Sequence, residues 1–374
     1  MADPKTKKKR LSLGKESAFS TTTFPTVREW PFLELGDLTD AKGVIPTARH
    51  TGRTGVTAME PGPDNGSTSG KLEVVGFASE VGDGASPPSA DYFDDFLEGF
   101  ARLDRTEDGE GATVSGTGVT LDSAGDAVAG DLIPLKDDTT GEVRFVPVAS
   151  GSGASLTLAF NPNFDIADVM LGHKTYRDDD GDDNSVSFAG IFEQDSDQFD
   201  CHGMKLTAVN LSVTPEANAL FEVTFGIDRM DVGGSETPPA FVGNPTATPQ
   251  RIGRVWLDGT EVDVASIEVD FGVDAQPRAS TKEATGRSEH LHMATNPSVT
   301  IVPVYTDAHR NLKRNQTVQS LVIQIGDDLG FYAPRVQVQE AAPTDASGLQ
   351  RQTLTLTVLD PASSTLDKWQ VVRC

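Results

Sequence analysis

GMKLTAVNLSV at Gly203–Val213 and GTEVDVASIEV at Gly259–Val269 are two segments that follow one pattern. After an opening glycine, apolar and polar residues alternate, so that Leu211 of the first segment corresponds to Ile267 of the second. A period of two predicts a half-buried β-strand. Similar strands on both sides of a Pro/Gly-rich segment predict a sheet-built protein with internal repetition, which favours assembly over catalysis.

Length and charge limit the classes of protein to consider. The chain has 374 residues, which predicts two domains, and a formal net charge of −25. Proteins that grip nucleic acid neutralise phosphates with Lys and Arg, so this charge argues against that class. Two interpretations stay open, namely an acidic coat that keeps the protein soluble and a surface that faces DNA without holding it.

Membrane, export and disulfide signals are weak. No apolar run has the length of a transmembrane helix, and the N-terminal residues lack the apolar core of a secretory signal. Cys201 and Cys374 cannot form a disulfide framework and belong to no CxxC pair, so we expect synthesis in a reducing cytoplasm and no structural zinc.

Composition shifts predict the domain boundaries. Residues 1–20 are expected to be a mobile basic arm. A first domain is predicted over 21–232, with an Asp/Gly-rich insertion at about 105–184. Residues 233–250, rich in Gly, Pro, Ser and Thr, are the predicted linker, and a second domain is predicted over 251–374.

Most of the chain has the pattern of short strands separated by Gly, Asp and Ser turns. A helix is predicted from about Ala90 to Leu103, with Ser89 as its N-cap and a Phe-rich apolar stripe. A helical turn is predicted at about 308–314. The strand at 71–77 with its following helix is similar to the strand at 298–304 with its helical turn, which indicates duplication of one β-rich fold.

Four carboxylates lie on one predicted strand, and they are Glu261, Asp263, Glu268 and Asp270. Strict alternation would place the first two on one face and the last two on the other. A bulge near Ala265 would place all four on one side, and the sequence leaves both arrangements open.

Motifs for chemistry are missing or incomplete. The run RDDDGDDN at 177–184 cannot supply carboxylates at positions 1 and 12 of an EF-hand loop, so an exposed acidic loop and an irregular calcium site are the alternatives. His290 and His292 share a strand face without further ligands at a recognisable spacing. Since no catalytic motif is found, we expect no catalytic or metal-binding residue, no cofactor and no enzyme activity.

The segments at 201–230 and 256–278 resemble the tail tube proteins of long-tailed bacteriophages and related tailed viruses. The resemblance rests on a glycine-led strand, a turn with proline, a returning strand, an Asp-Gly turn and a strand ending near Pro-Arg: Gly203, Pro215, Phe221–Phe225, Asp258–Gly259 and Pro277–Arg278. The strand at 70–77 and its Phe-rich helix fit the pattern more loosely.

This resemblance implies a mainly β fold of two tandem β-sandwich or partial-barrel domains, each with a flanking helix. Sheets of neighbouring subunits would join into a continuous β-barrel, and homotrimeric rings with pseudo-sixfold symmetry would stack into a tube. The implied function is that of a structural virion protein, the major tail tube subunit, whose acidic channel carries the genome from capsid to host cell during DNA ejection.

The implied partners are further copies of the chain and the tail terminator, tape measure and distal tail proteins, with viral DNA passing unbound and no membrane contact. The implied location is the virion tail, after synthesis in the host cytoplasm. The alternative functions are a β-sandwich adhesin, a receptor-binding or calcium-binding module, and an enzyme whose site has no recognisable motif.

Two sets of residues are candidates for the tube function. Glu261, Asp263, Glu268 and Asp270 are candidates for the channel lining, with solvation of an outer face as the alternative. Lys7, Lys8, Lys9 and Arg10 are candidates for an arm that docks on an acidic neighbouring subunit, with a nuclear-localisation run as the alternative.

Overall fold

The structure is a computed structural model of the whole chain, and it is mainly β. It describes residues 9–17, 24–39, 44–47, 58–61, 66–77, 81–88, 91–163, 168–178, 186–194, 197–214, 217–233, 236–239, 253–273, 275–279, 287–292, 295–346, 349–361 and 367–374.

The elements in the first part of the chain are β1 (Lys9–Lys15), β2 (Arg28–Glu29), β3 (Glu34–Leu35), β4 (Val44–Thr47), β5 (Ala58–Pro61), β6 (Gly66–Glu73), α1 (Tyr92–Glu98), β7 (Arg102–Glu107), β8 (Glu110–Ser115), β9 (Gly118–Leu121), β10 (Leu132–Asp137), β11 (Val143–Ser152), β12 (Ser155–Leu158), β13 (Asp168–Met170), β14 (His173–Arg177), β15 (Phe188–Gln194), β16 (Asp197–Val213), β17 (Leu220–Ile227) and β18 (Arg229–Val232).

The remaining elements are β19 (Gly253–Leu257), β20 (Thr260–Val262), β21 (Val264–Asp270), β22 (Ala275–Ala279), β23 (Arg287–His292), β24 (Ser298–Pro303), α2 (Asp307–Asn315), β25 (Val318–Ile325), β26 (Leu329–Ala346), β27 (Leu349–Val358) and β28 (Gln370–Arg373).

Two long strands, β16 and β26, each belong to two layers. Their second halves lie in the inner layer, an antiparallel sheet in the order β3-β6-β17-β16-β21-β24-β27-β26. Their first halves lie in the outer layer, which consists of β2-β1-β15-β16-β18 and of β20-β19-β25-β26-β28-β14-β7. The two layers enclose one hydrophobic core, which we term the common core.

Alternating side chains explain why the inner layer packs on one face only. A row of directly opposed apolar residues crosses seven of its strands and faces the common core: Leu72, Phe221, Leu211, Val269, Val299, Leu356 and Val338. Each is at most 4% exposed. Because neighbouring residues on a strand point to opposite faces, the flanking positions carry the polar residues described below.

Helix α1 and the residues just after it insert three phenylalanines into this core, and they are Phe93, Phe96 and Phe100. Asp91 caps it by accepting hydrogen bonds from the N–H groups of Phe93 and Asp94, in a capping box. Phe96 meets Phe221 of β17 with ring centroids 4.9 Å apart. Phe100, just past the helix, lies 5.0 Å from Phe271. The helix therefore fastens the outer strands to the inner layer.

The predicted helix was too long at its C-terminal end. It ends at Glu98, and Leu103 lies in β7 opposite Tyr176 of β14. Ser89, the predicted N-cap, lies outside the described residues, and Asp91 is the cap. The second predicted helical segment is confirmed as α2, capped by Thr306.

The predicted Asp/Gly-rich insertion contains a second folded unit. Strands β8 to β13 form a closed six-stranded barrel, in the order β10-β11-β12-β9-β8-β13, with its own hydrophobic interior. A third apolar cluster joins this barrel to β19, β25, β26 and β28, and it includes Phe145, Trp256, Val322 and Tyr332. Val322 and Tyr332 face away from the common core, so the barrel covers the outer side of the outer layer.

One succession of strand pairings occurs twice along the chain. The pairings β1–β2, β1–β15, β15–β16, β16–β18, β16–β17, β17–β6 and β6–β3 correspond in order to β19–β20, β19–β25, β25–β26, β26–β28, β26–β27, β27–β24 and β24–β21. The hairpins β4–β5 and β22–β23 occupy matching places, before β6 and before β24. Helices α1 and α2 follow β6 and β24.

This correspondence contradicts the predicted repeat of 203–213 and 259–269 and agrees with the longer predicted repeat. The segments 203–213 and 259–269 are not equivalent, because β16 and β21 are adjacent antiparallel strands in which Leu211 lies opposite Val269. Their shared pattern reflects membership of one sheet. Strands β6 and β24, which carry the longer repeat, do hold matching positions, each paired with the second strand of a long hairpin.

The two predicted domains are not separate bodies. Residues on both sides of the predicted 233–250 linker contribute to the common core and pair directly in β16–β21 and β14–β28.

The predicted mobile arm differs from the structure in its second part. Residues 9–15 form β1, because Leu11 and Leu13 are buried in the core and β1 pairs with β15.

Candidate functional site

The inner layer presents a broad polar surface on the side opposite the common core, and we term it the polar face. Two rows of directly opposed residues define it. The first row is Glu34, Lys71, Glu222, Asn210, Asp270, Ser298, Thr357 and Gln337. The second row is Glu73, Leu220, Ser212, Glu268, Thr300, Thr355 and Glu340.

Carboxylates outnumber cations on the polar face. The two rows contain the carboxylates of Glu34, Glu73, Glu222, Glu268, Asp270 and Glu340, and one cation, Lys71. The Lys71 Nζ lies 3.0 Å from Glu34 and 3.5 Å from Glu222. Its hydrogen bond to Glu34, followed by the charges of both carboxylates, raises the pKa of Lys71. The single cation is therefore already engaged by protein carboxylates.

The chemistry of the polar face is unsuited to gripping nucleic acid. Single-stranded nucleic acid is held by stacking on aromatic rings, and the two rows contain none. Duplexes are held by basic side chains that release counterions, and here acidic groups prevail. The other positions carry mainly Ser, Thr, Asn and Gln, which keep a sheet surface wet and free of adhesive apolar patches.

The four predicted carboxylates lie in three different places. Of the two arrangements that the sequence left open, the one with a bulge is observed, since the register of β21 with β24 shifts between Val264 and Ile267. All four are exposed, and Glu268 and Asp270 belong to the polar face. Asp263 lies beside the end of β24 and 3.9 Å from Arg351. Glu261 belongs to the outer layer, opposite Trp256 of β19. Only Glu268 and Asp270 therefore contribute to the two rows.

Both ends of the inner layer are edges. Within the described residues, β3 pairs with β6 alone, and β26 beyond Gln337 pairs with β27 alone. Exposed apolar side chains accompany these edges, with Leu33 54% exposed beside β3 and Val318 41% exposed opposite Gln337. Exposed edges of this kind are templates for pairing with another strand.

Two of the four basic residues predicted for an inter-subunit arm, Lys9 and Arg10, belong to the described residues. Lys9 donates to the carbonyl oxygen of Leu35 and lies 2.8 Å from Asp37. Arg10 lies 3.2 Å from Glu29 and 3.4 Å from Glu193. Both are thus paired with acidic groups of their own chain, whereas Lys7 and Lys8 lie outside the described residues.

A buried ionic cluster fixes α1 to the outer layer. Asp94 accepts hydrogen bonds from Lys174 at 2.6 Å, Tyr176 at 2.7 Å and Arg373 at 2.7 Å. Arg373 also donates twice to Asp91 at 2.8 Å. Burial by itself raises the pKa of Asp91, but the hydrogen bonds and charge of Arg373 lower it below the ordinary value. The cluster joins α1, β14 and β28 and has a structural role.

The described residues show no cluster suited to binding a metal ion. They contain no group of three or more His, Cys, Asp or Glu side chains that could hold a metal ion. Burial, with the nearby carboxylates of Asp200 and Asp231, raises the pKa of the Cys201 thiol to about 12, so it is not an activated nucleophile. Residues 179–185 of the acidic loop lie outside the described part, and the side chains of His290 and His292 are not described.

Sequence reasoning missed most of the polar face. Lys71, Glu222 and Asn210 each alternate with buried neighbours, but nothing local shows that they stand in one row. The neglected signal is Glu34-Leu35-Gly36, which has the pattern of Asp270-Phe271-Gly272 at matching positions of the two pairing series. It identifies β3 as the counterpart of β21.

Neither described helix is long and apolar enough to cross a membrane. No protein-family model matches the sequence, and no curated protein matches it significantly. The polar face, its two edges and the repeated pairing series are therefore the observations from which a function can be inferred.

Proposed function

We propose that the chain is a tail tube subunit, a structural protein whose copies form trimeric rings that stack into a hollow tube for DNA passage. The observation that carries the proposal is the inner layer, an eight-stranded sheet with one apolar face, one acidic polar face and two edges that pair with no further strand of the described residues. A sheet of this kind satisfies its edges by joining copies of itself into a closed barrel.

The repeated pairing series supports two tandem tube domains within each chain. Four strands, β3-β6-β17-β16, correspond in order to β21-β24-β27-β26, and the pair β16–β21 joins the two sets. Three chains would thus present six similar units around a ring, which is pseudo-sixfold symmetry. Closed rotation limits growth in the plane, whereas head-to-tail stacking remains open and builds a filament.

The dimensions of such a ring suit a channel. Three copies of eight strands make a barrel of 24 strands. With strands about 4.8 Å apart and tilted by about 40°, the barrel is roughly 48 Å across between backbones. Side chains narrow the opening to roughly 40 Å, which admits a DNA double helix. A barrel of about eight strands is filled by its own side chains, so one chain alone would not suffice.

Electrostatics supports the assignment of the polar face to the channel. Carboxylates such as Glu268 and Asp270 would repel phosphates, and hydroxyl and amide side chains would offer no strong hold. DNA would then pass without the attraction that basic walls provide through counterion release. The inserted barrel, on the far side of the common core, would lie on the outside of the tube.

Electron microscopy of the purified protein tests this proposal. Concentrated protein at moderate to high salt, which screens repulsion between chains of charge −25, should form hollow rings or tubes with threefold symmetry. Sixfold rings would keep the tube and reject the trimer. Monomers at every concentration and salt would contradict the proposal and would favour the adhesin alternative, for which calcium-dependent thermal stabilisation is the measurement.

A further inference from the structure

From the pair β16–β21 we infer the joint between neighbouring subunits, namely the edge of β26 from Val338 onward pairing antiparallel with the β3 edge of the next copy. This inference rests on the proposed ring and specifies its strands and register. The partner is a second copy of the chain.

Strands β16 and β26 hold equivalent positions in the two pairing series. Each long strand has a register irregularity in its middle, at 206–208 in β16 and at 333–336 in β26. The core-facing residues on both sides of the irregularity match one for one. They are Met204, Leu206, Val209 and Leu211 in β16 and Phe331, Ala333, Val336 and Val338 in β26. Leu211 therefore corresponds to Val338.

Strands β3 and β21 also hold equivalent positions in the two pairing series. Asp270 lies opposite Ser298 of β24, and Glu34 lies opposite Lys71 of β6. An apolar residue and a glycine follow Asp270 and Glu34 in the same order. Val269 directly precedes Asp270, and Leu33 directly precedes Glu34, so Val269 corresponds to Leu33.

The register between β16 and β21 predicts the register between β26 and β3 of the next copy. Within the chain, Leu211 lies opposite Val269, and both are buried. The same register between copies places Val338 opposite Leu33 of the next copy. Val338 is the first position of β26 beyond the end of its pairing with β25, and from there onward β26 pairs with β27 alone among the described strands.

Exposure supports this joint independently of the alignment. Leu33 is the most exposed of the four exposed large hydrophobic residues, at 54%. Its counterpart Val269 is fully buried by the internal joint. Pro343 has no N–H to donate and limits the edge available on β26. The joint would therefore bury the most exposed large hydrophobic side chain of the described residues.

A cysteine pair tests the register. The double variant Leu33→Cys/Val338→Cys, assembled and then oxidised with copper and molecular oxygen, should run as a covalent trimer without reductant. Both native cysteines are buried, which limits background. The pair Leu33→Cys/Gln337→Cys is the matched control, because a shift of one residue points the thiol to the opposite face.

A second variant tests the burial. Leu33→Ser should raise the protein concentration needed for half-assembly roughly tenfold, as expected for losing about half the burial of one leucine per joint. Leu103→Ser changes an exposed leucine of β7, which belongs to neither edge strand, and should leave the concentration for half-assembly unchanged.

The outcomes separate this joint from the proposed function. Rings without the Leu33–Val338 crosslink, equal crosslinking by the shifted control, or equal effects of the two serine variants would overturn the joint and leave the tube proposal standing. A failure to form rings at all would overturn both.

Discussion

Arg373 shows how single residues connect distant parts of this chain. Its side chain is fully buried, and it donates to Asp91 and Asp94, about 280 positions earlier in sequence. We predict that Arg373→Met lowers the free energy of unfolding by about 3 to 5 kcal/mol, since it leaves Asp91 and Asp94 with one buried cation, Lys174, for two carboxylates. Denaturant titration measures this loss.

The control is Lys71→Met, which also replaces a cation by methionine but removes it from a solvent-exposed ion pair on the polar face. Exposed ion pairs contribute little to stability. A loss for Lys71→Met as large as that for Arg373→Met would contradict the structural role assigned to the buried cluster.

His173 predicts a dependence of stability on pH. It is fully buried in β14, and burial lowers its pKa to about 4. Between pH 6.5 and 4 the unfolded chain binds a proton that the folded chain does not, so its contribution to stability is complete above pH 6.5 and declines as the pH falls to 4. The decline amounts to about 3 kcal/mol.

Replacement by Gln removes this titration. We predict a shallower fall of unfolding free energy from pH 6.5 to 4 in His173→Gln than in the unchanged chain, measured by denaturant titration at each pH. Parallel pH profiles for the two proteins would show that His173 titrates alike in the folded and unfolded states.

At the scale of elements, Gln324 holds the inserted barrel to β25. Its buried amide accepts from the N–H of Phe145 at 3.3 Å and donates to the carbonyl oxygen of Val143 at 2.8 Å. We predict that Gln324→Leu lowers the free energy of unfolding by about 1 to 3 kcal/mol, because two buried backbone groups lose their partner. Amide hydrogen exchange should quicken at Phe145.

Gln337→Leu is the matched control, since Gln337 lies on the polar face and its one amide hydrogen bond, to Gln316, is exposed to solvent. Faster exchange at Phe145 in this variant as well would show that the effect is general and not due to the contact with the barrel.

The sequence predicted elements better than their arrangement. Alternation predicted a strand at 203–213, and β16 does end at Val213, although it begins at Asp197. It could not predict that β16 and β26 bend through irregularities between two layers, or that β14 pairs with both β7 and β28. These pairings join residues far apart in sequence, and a local pattern contains no information about its distant partner.

At the scale of the whole molecule, the acidic polar face should decide how DNA behaves in the assembled tube. We predict that tubes of the unchanged protein do not retain DNA, whereas tubes of Glu268→Lys/Asp270→Lys do, with retention that falls steeply as salt rises. Filter retention of labelled duplex at several salt concentrations measures this difference.

Asp108→Lys/Asp138→Lys is the control with the same change in charge. Both residues are exposed and lie next to strands of the inserted barrel, Asp108 between β7 and β8 and Asp138 directly after β10. Equal retention by both double variants would mean that overall charge, and not the lining of the channel, governs the contact with DNA.

The orientation of the subunit in its ring can be determined by a cryo-electron microscopy reconstruction of the assembled particles. We expect three chains around a channel roughly 40 Å wide, with Glu268 and Asp270 pointing inward and the inserted barrel outward. Rings that carry the polar face on their outer surface, or the inserted barrel in the channel, would contradict this expectation.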